Sequence, residues 1–149
     1  MTPNQKAFLD MLAFSEGTIK FGHEDGYNVI VGGQLFHDYS DHPRVFVSLP
    51  KLGIKSSAAG RYQLLARYYD AYKRLLDLPD FSPESQDAIA LQQIKERKAL
   101  PDIEAGRFDD AVFKCKNIWA SLPGAGYGQH EVKIQALRDA YAAAGGTFA

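Results

Sequence analysis

The chain has 149 residues, 46% hydrophobic and 23% charged, with a formal net charge of -1. This is the profile of an ordinary globular protein, with one domain expected over residues 1–149, and it lacks the net basic field of an electrostatically driven nucleic-acid binder. The lone Cys115 excludes an intrachain disulfide and a multi-cysteine zinc site.

Thr2, Pro3 and Gln5 read as a helix start, with Thr2 as N-cap, Pro3 at the first helical position and Gln5 closing a capping box. Phe8, Met11, Leu12 and Ser15 then share one face, flanked by Ala7 and Phe14. Gly17 suits the left-handed residue after a helix ending at Glu16. Residues 19–27 read as a polar loop. "YNVIVGGQLF" reads as a hairpin turning at Gly32 and Gly33, residues 44–49 as a third strand, and "PKLGIKSSAAG" as a flexible connection.

From Gly60 onward the chain reads as helical in pieces. An apolar stripe runs through Leu64, Leu65, Tyr68, Ala71, Tyr72 and Leu75, and Leu78-Pro79 stops it. Ser82-Pro83-Glu84 opens another helix. Pro101 and Gly106 bracket a short one. Asp109 or Asp110 opens the next, which turns Ala111, Val112, Cys115, Ile118 and Trp119 inward, so that Cys115 reads as a buried structural thiol. Residues 121–129 form a loop or broken helix start, and a last helix through Val132, Ala136, Leu137 and Ala140 ends at Gly145-Gly146. Helix, small antiparallel sheet, then helices is an α+β order. "MTPNQKAFLD" lacks the apolar run of a signal peptide, so synthesis in a cytoplasm is expected.

The histidines are His23, His37, His42 and His130. "HDYSDH" contains His37, Asp38, Asp41 and His42, but its spacing is that of a solvated turn, and no metal is expected there. The glycines of 22–26 and 124–128 lack the Lys-Ser/Thr ending of a phosphate loop, and no cofactor is expected. Glu16 is the unusual residue. A helix C-terminus repels a carboxylate and, with burial, favours the neutral acid that a general acid requires. Taken alone, Glu16 reads more simply as a solvated helix-end glutamate. "AAGRYQLL" and "IWASLPGAGYGQ" add small residues beside aromatic, guanidinium and amide groups, a pattern suited to sugar rings, although Tyr62 could equally be core.

The segments "KAFLDMLAFSEGT", "GYNVIVGGQLFHDYSDHPR", "AGRYQLLARYYDAYKRLL", "DFSPESQDAIALQQIKER" and "NIWASLPGAGYGQ" resemble the lambda-type phage endolysins, lytic transglycosylases of the lysozyme-like superfamily. The resemblance implies an α+β lysozyme-like fold, a helical lobe and a small β-lobe with a cleft between them. It implies cleavage of the β-1,4 bond between N-acetylmuramic acid and N-acetylglucosamine in peptidoglycan. Glu16 matches the catalytic glutamate of the "SEGT" motif. Tyr62 and Gln63 match a cleft-lining motif, with Gly60, Arg61 and Ser121 beside the substrate, and Tyr127 lies on a loop forming one lip of the cleft. The implied partners are glycan strands, not nucleic acid, together with a holin that releases the enzyme to the periplasm; a monomer is expected. Relatives carry acids where this chain has Asn28 and Gln34, leaving Glu24, Asp25, Asp38 and Asp41 as possible second carboxylates. A hydrolytic muramidase and a non-catalytic glycan-binding module are the alternatives.

Overall fold

The computed structural model describes residues 1–21, 24–128 and 130–149. Its elements are α1 (Pro3–Glu16), β1 (Val47–Leu49), β2 (Ile54–Ser56), α2 (Ala66–Leu76), α3 (Pro83–Glu96), α4 (Leu100–Glu104), α5 (Phe108–Cys115) and α6 (Ile134–Ala143). This is the expected α+β content. The chain divides into two compact units, Met1–Glu16 with Ala90–Ala149, and Gly17–Ile89. The divisions fall directly after Glu16 and inside α3.

In the first unit, α1 starts as its sequence dictates. Gln5 N–H donates to Thr2 Oγ1 and Thr2 N–H donates to Gln5 Oε1, each at 3.2 Å, the reciprocal pattern of a capping box. Gly17 leaves the helix at φ +76°. Ala7, Phe8, Leu9, Met11, Leu12 and Ala13 are all buried, so α1 is enclosed almost all round by this unit's core. It packs against α4 and α6. Buried Asn4 ties three segments together. Its Nδ2 donates to Ile103 O at 3.0 Å, and its Oδ1 accepts from Thr147 N–H at 3.1 Å. Phe108, Tyr141 and Phe148 meet edge to face or tilted, closing the C-terminal tail onto α5 and α6. Cys115 is buried, and burial pushes its thiol up to about 12.

The second unit is built around Ile30, Phe36, Ala59, Leu64, Tyr69, Phe81 and Ile89. Here several local expectations change. The supposed connection contains β2, which pairs antiparallel with β1 in the register Val47↔Ser56, Ser48↔Lys55, Leu49↔Ile54. Both faces of β2 look polar or exposed, Ile54 included, so it carries no hydrophobic alternation to betray it. The strand expected over 44–49 shortens to β1, because Arg44 takes a left-handed φ of +56°. The expected hairpin reduces to a single bridge, Val29↔Leu35. It closes with Ile30 N–H to Gln34 O at 2.7 Å, enclosing three residues rather than the two glycines alone.

The stripe assigned to α2 is out of phase with its buried face. The helix starts at Ala66, Tyr69 is fully buried, and Tyr68 and Leu75 are exposed. Asp77 ends it in the left-handed conformation at φ +52°, with Leu78 N–H bonding Lys73 O at 3.0 Å. The "HDYSDH" turn is also not wholly solvated. His42 is buried, its Nε2 lies 2.8 Å from Leu64 O, and its Nδ1 accepts from Arg44 N–H at 2.9 Å. With Nδ1 accepting, the proton sits on Nε2, and burial holds the ring neutral by lowering its affinity for a second proton.

Candidate active site

Glu16 is the last residue of α1, on a segment whose Leu12 and Ala13 are fully buried. The residue is half-buried, and burial of its carboxyl raises the pKa from the usual 4.5 to about 7. Desolvation dominates, since the charged form is the one that loses water. One hydrogen bond works against it: Ser121 Oγ–H donates to Glu16 Oε2. Ser121 Oγ in turn lies 2.7 Å from Ser15 Oγ. Ser121 therefore touches the acid itself.

Ser121 is held from both sides. Trp119 and Leu122 beside it are buried, and Ser121 O accepts from Val132 N–H at 2.7 Å. That bond closes the glycine loop carrying Tyr127. Glu131 braces the loop from within, its two carboxylate oxygens accepting from Gly124 N–H at 2.9 Å and Gly126 N–H at 3.1 Å. These bonds hold Glu131 below the usual carboxylate range. Tyr127 is 53% exposed. Gln129, the last residue of the loop expected over 121–129, and His23 and Gly22 of the earlier loop lie outside the described residues.

Gly60, Arg61, Tyr62 and Gln63 come together in the second unit, in a tight turn and not the helix start expected for them. Ala59 and Leu64 bridge its base, with Leu64 N–H donating to Ala59 O at 2.8 Å. Gly60 sits at φ +86°, and a Cβ there would lie 2.5 Å from Gln86 Oε1 and 2.9 Å from the Phe81 ring. The glycine thus makes room for Gln86, whose Oε1 accepts from Arg61 N–H and whose Nε2 reaches Tyr27 O and Phe81 O. Gly60→Ala is expected to lower unfolding free energy by about 2–4 kcal/mol, combining left-handed strain and overpacking, as read by urea denaturation.

Arg61 is buried, donates to Asp25 O at 2.8 Å and to Tyr62 Oη at 3.2 Å, and lies over the Tyr27 ring. Tyr62 and Tyr27 both donate to Asp87 Oδ1, at 2.6 and 2.9 Å. Burial, helped by that carboxylate, pushes the Tyr27 phenol up to about 12 and Tyr62 further in the same direction. Gln63, at φ +54°, donates its amide to Val29 O at 3.1 Å and Gly60 O at 2.8 Å. Sequence reasoning missed Asp87, Tyr27 and Gln86. They lie far from the turn in the chain, and only folding brings them to it.

Residues 6–148 match the family model described as Endolysin. The endolysin of Escherichia phage lambda is 62% identical over 147 residues, spanning 96% of this chain and 92% of that protein. The chain belongs to the endolysin family. The endolysin of Escherichia phage P2 is 51% identical over 154 residues, covering 96% and 93%. A solved structure of bacteriophage lambda lysozyme complexed with a chitohexasaccharide matches with a TM-score of 0.96 at 58% identity, over all of this chain and 98% of that one. A second lambda lysozyme structure matches at 0.91.

Within this endolysin, three of the four candidate second carboxylates, Glu24, Asp38 and Asp41, have internal partners. Glu24 Oε2 accepts from Asn28 Nδ2 at 2.7 Å. Asp38 caps Ser40 N–H at 2.9 Å, and Asp41 pairs with Arg44 at 2.9 Å. Asp38 and Asp41 are both held below the usual carboxylate range by these bonds. Asp25 contributes its backbone carbonyl to Arg61. Among the described residues no group of three or more His, Cys, Asp or Glu is placed to hold a metal ion.

Proposed function

We propose that this endolysin cleaves the β-1,4 bond between N-acetylmuramic acid and N-acetylglucosamine in peptidoglycan as a lytic transglycosylase. The observation that carries the proposal is Glu16, a desolvated carboxyl with a pKa near 7, protonated in a large fraction of molecules at neutral pH. In this reading the Glu16 proton passes to the glycosidic oxygen as the bond to the anomeric carbon breaks. The muramic C6 oxygen then bonds the anomeric carbon, and its proton returns to the Glu16 carboxylate. The acid is restored, no water is consumed, and the product carries a 1,6-anhydro ring.

A hydrolase generally needs a second carboxylate as nucleophile or base, and Glu24, Asp38 and Asp41 are engaged within their own loops. That favours chemistry by a single acid. The Gly60–Gln63 turn serves as a fixed wall for the glycan. The two donations of Gln63 orient its amide and leave Oε1 to accept from a sugar hydroxyl, while the exposed Tyr127 ring offers a stacking face. Access to the wall in this reading comes through a holin. Mass spectrometry of digested peptidoglycan is expected to show anhydro-muramic ends. Reducing muramic ends in their place would establish hydrolysis and sink the transglycosylase reading.

A further inference from the structure

The two oxygens of Glu16 are not equivalent. Oε2 accepts from Ser121, whereas Oε1 has no hydrogen-bond partner among the described residues. We infer that Ser15 and Ser121 form a directed hydroxyl pair that fixes Oε2 as a permanent acceptor, leaving Oε1 as the oxygen that exchanges the proton with substrate. Both serines are positioning residues, and the inference rests on the reading of Glu16 as the acid.

The direction follows from counting hydrogens. A serine hydroxyl has one hydrogen and two lone pairs. Ser121 places its hydrogen on Oε2, so in the 2.7 Å contact with Ser15 it must accept. Ser15 is buried, and Ser121 is the hydrogen-bond partner its hydroxyl has among the described residues. Its hydrogen therefore points at Ser121, since the reverse arrangement would strand it. The chain runs from Ser15 to Ser121 to Oε2.

This direction matters for the neutral acid. A proton on Oε2 pointing at Ser121 would force the Ser121 hydrogen off Oε2, leaving either that hydrogen or the one on Ser15 without an acceptor among the described residues. A proton on Oε1 disturbs nothing. The pair thus keeps the acidic hydrogen on the oxygen that the protein leaves open, and it holds the same geometry when Oε1 takes a proton back. Ser15 can play this part because it precedes Glu16 on the last turn of α1, on the buried side. Ser121 can because its backbone is anchored by Val132.

The test is a titration of the Glu16 side-chain carboxyl by carbon-13 NMR together with pH profiles of kcat and KM on peptidoglycan. In Ser121→Ala the lost charge-assisted bond is expected to raise the Glu16 midpoint by roughly one to two pH units. It should lower kcat about tenfold with KM within about twofold. Ser15→Ala should move both readouts the same way by a smaller amount, and Ser121→Thr, which keeps the hydroxyl, should restore them. Thermal melts establish that each variant is folded. A folded Ser121→Ala protein with the wild-type midpoint and wild-type kcat overturns the inference. Full activity in Glu16→Gln would overturn the acid assignment instead, whatever the titrations show.

Discussion

Glu16→Gln is expected to reduce kcat/KM on peptidoglycan by roughly a thousandfold while leaving the fold and glycan binding intact. Gln matches Glu in size, and its carbonyl oxygen can still accept from Ser121, so the contacts around Oε2 persist. What disappears is the transferable proton. The glycosidic oxygen then leaves as an unassisted alkoxide, and no carboxylate remains to take the proton of the attacking hydroxyl. Two assays separate the readings: turbidity loss of wall suspensions, and co-sedimentation with insoluble peptidoglycan. Lost clearing with sedimentation kept supports the enzyme. Equal clearing by wild type and variant would show that Glu16 only contacts sugar, as in a glycan-binding module.

The expectation at Glu16 shows how far the sequence reaches. The position of the residue was legible because its determinants are local: Thr2 and Gln5 cap one end of α1 and Gly17 closes the other. Desolvation was not legible from the residues alone. It comes from burial that a helical pattern does not report, and the bond that opposes its effect comes from Ser121, 105 positions away. The same division holds in the second unit. The small residues of "AAGRYQ" suit a sugar-facing surface, but at Gly60 the reason is the Gln86 side chain packed where a Cβ would stand. Tyr62 was open to two readings, core or ligand-facing. The structure gives it a third duty, since its hydroxyl and that of Tyr27 converge on Asp87. Strand β2 was lost because its apolar Ile54 is exposed with Lys55 and its one buried residue is the polar Ser56, so there is no hydrophobic period to read. The α2 face was misphased because "RYYDAY" offers tyrosines at neighbouring positions, and only packing selects Tyr69 over Tyr68.

The raised pKa of Glu16 also predicts a measurable cost in stability. An unfolded glutamate titrates near 4.5 and the folded Glu16 near 7. Below pH 4.5 both states hold the proton, and Glu16 contributes no difference. Between the two values the folded state binds more protons than the unfolded chain, so stability falls as pH rises. Above 7 both states are ionised, and the folded protein bears the full penalty of a desolvated carboxylate, about 3 kcal/mol from the separation of the two values. Glu16→Gln removes the titration. The variant should therefore match wild type near pH 4.5 and exceed it by up to about 3 kcal/mol at pH 8, as measured by urea unfolding at both values. The carboxylates held low by partners, such as Asp102 between Arg107 and Lys114, titrate in the opposite direction. They are common to both proteins and cancel in the difference. A gain equal at both pH values would reflect packing rather than charge, and would remove the desolvated carboxylate on which the general-acid assignment depends. A gain confined to the higher pH would mean that the group proposed as the general acid is also one the fold would be more stable without.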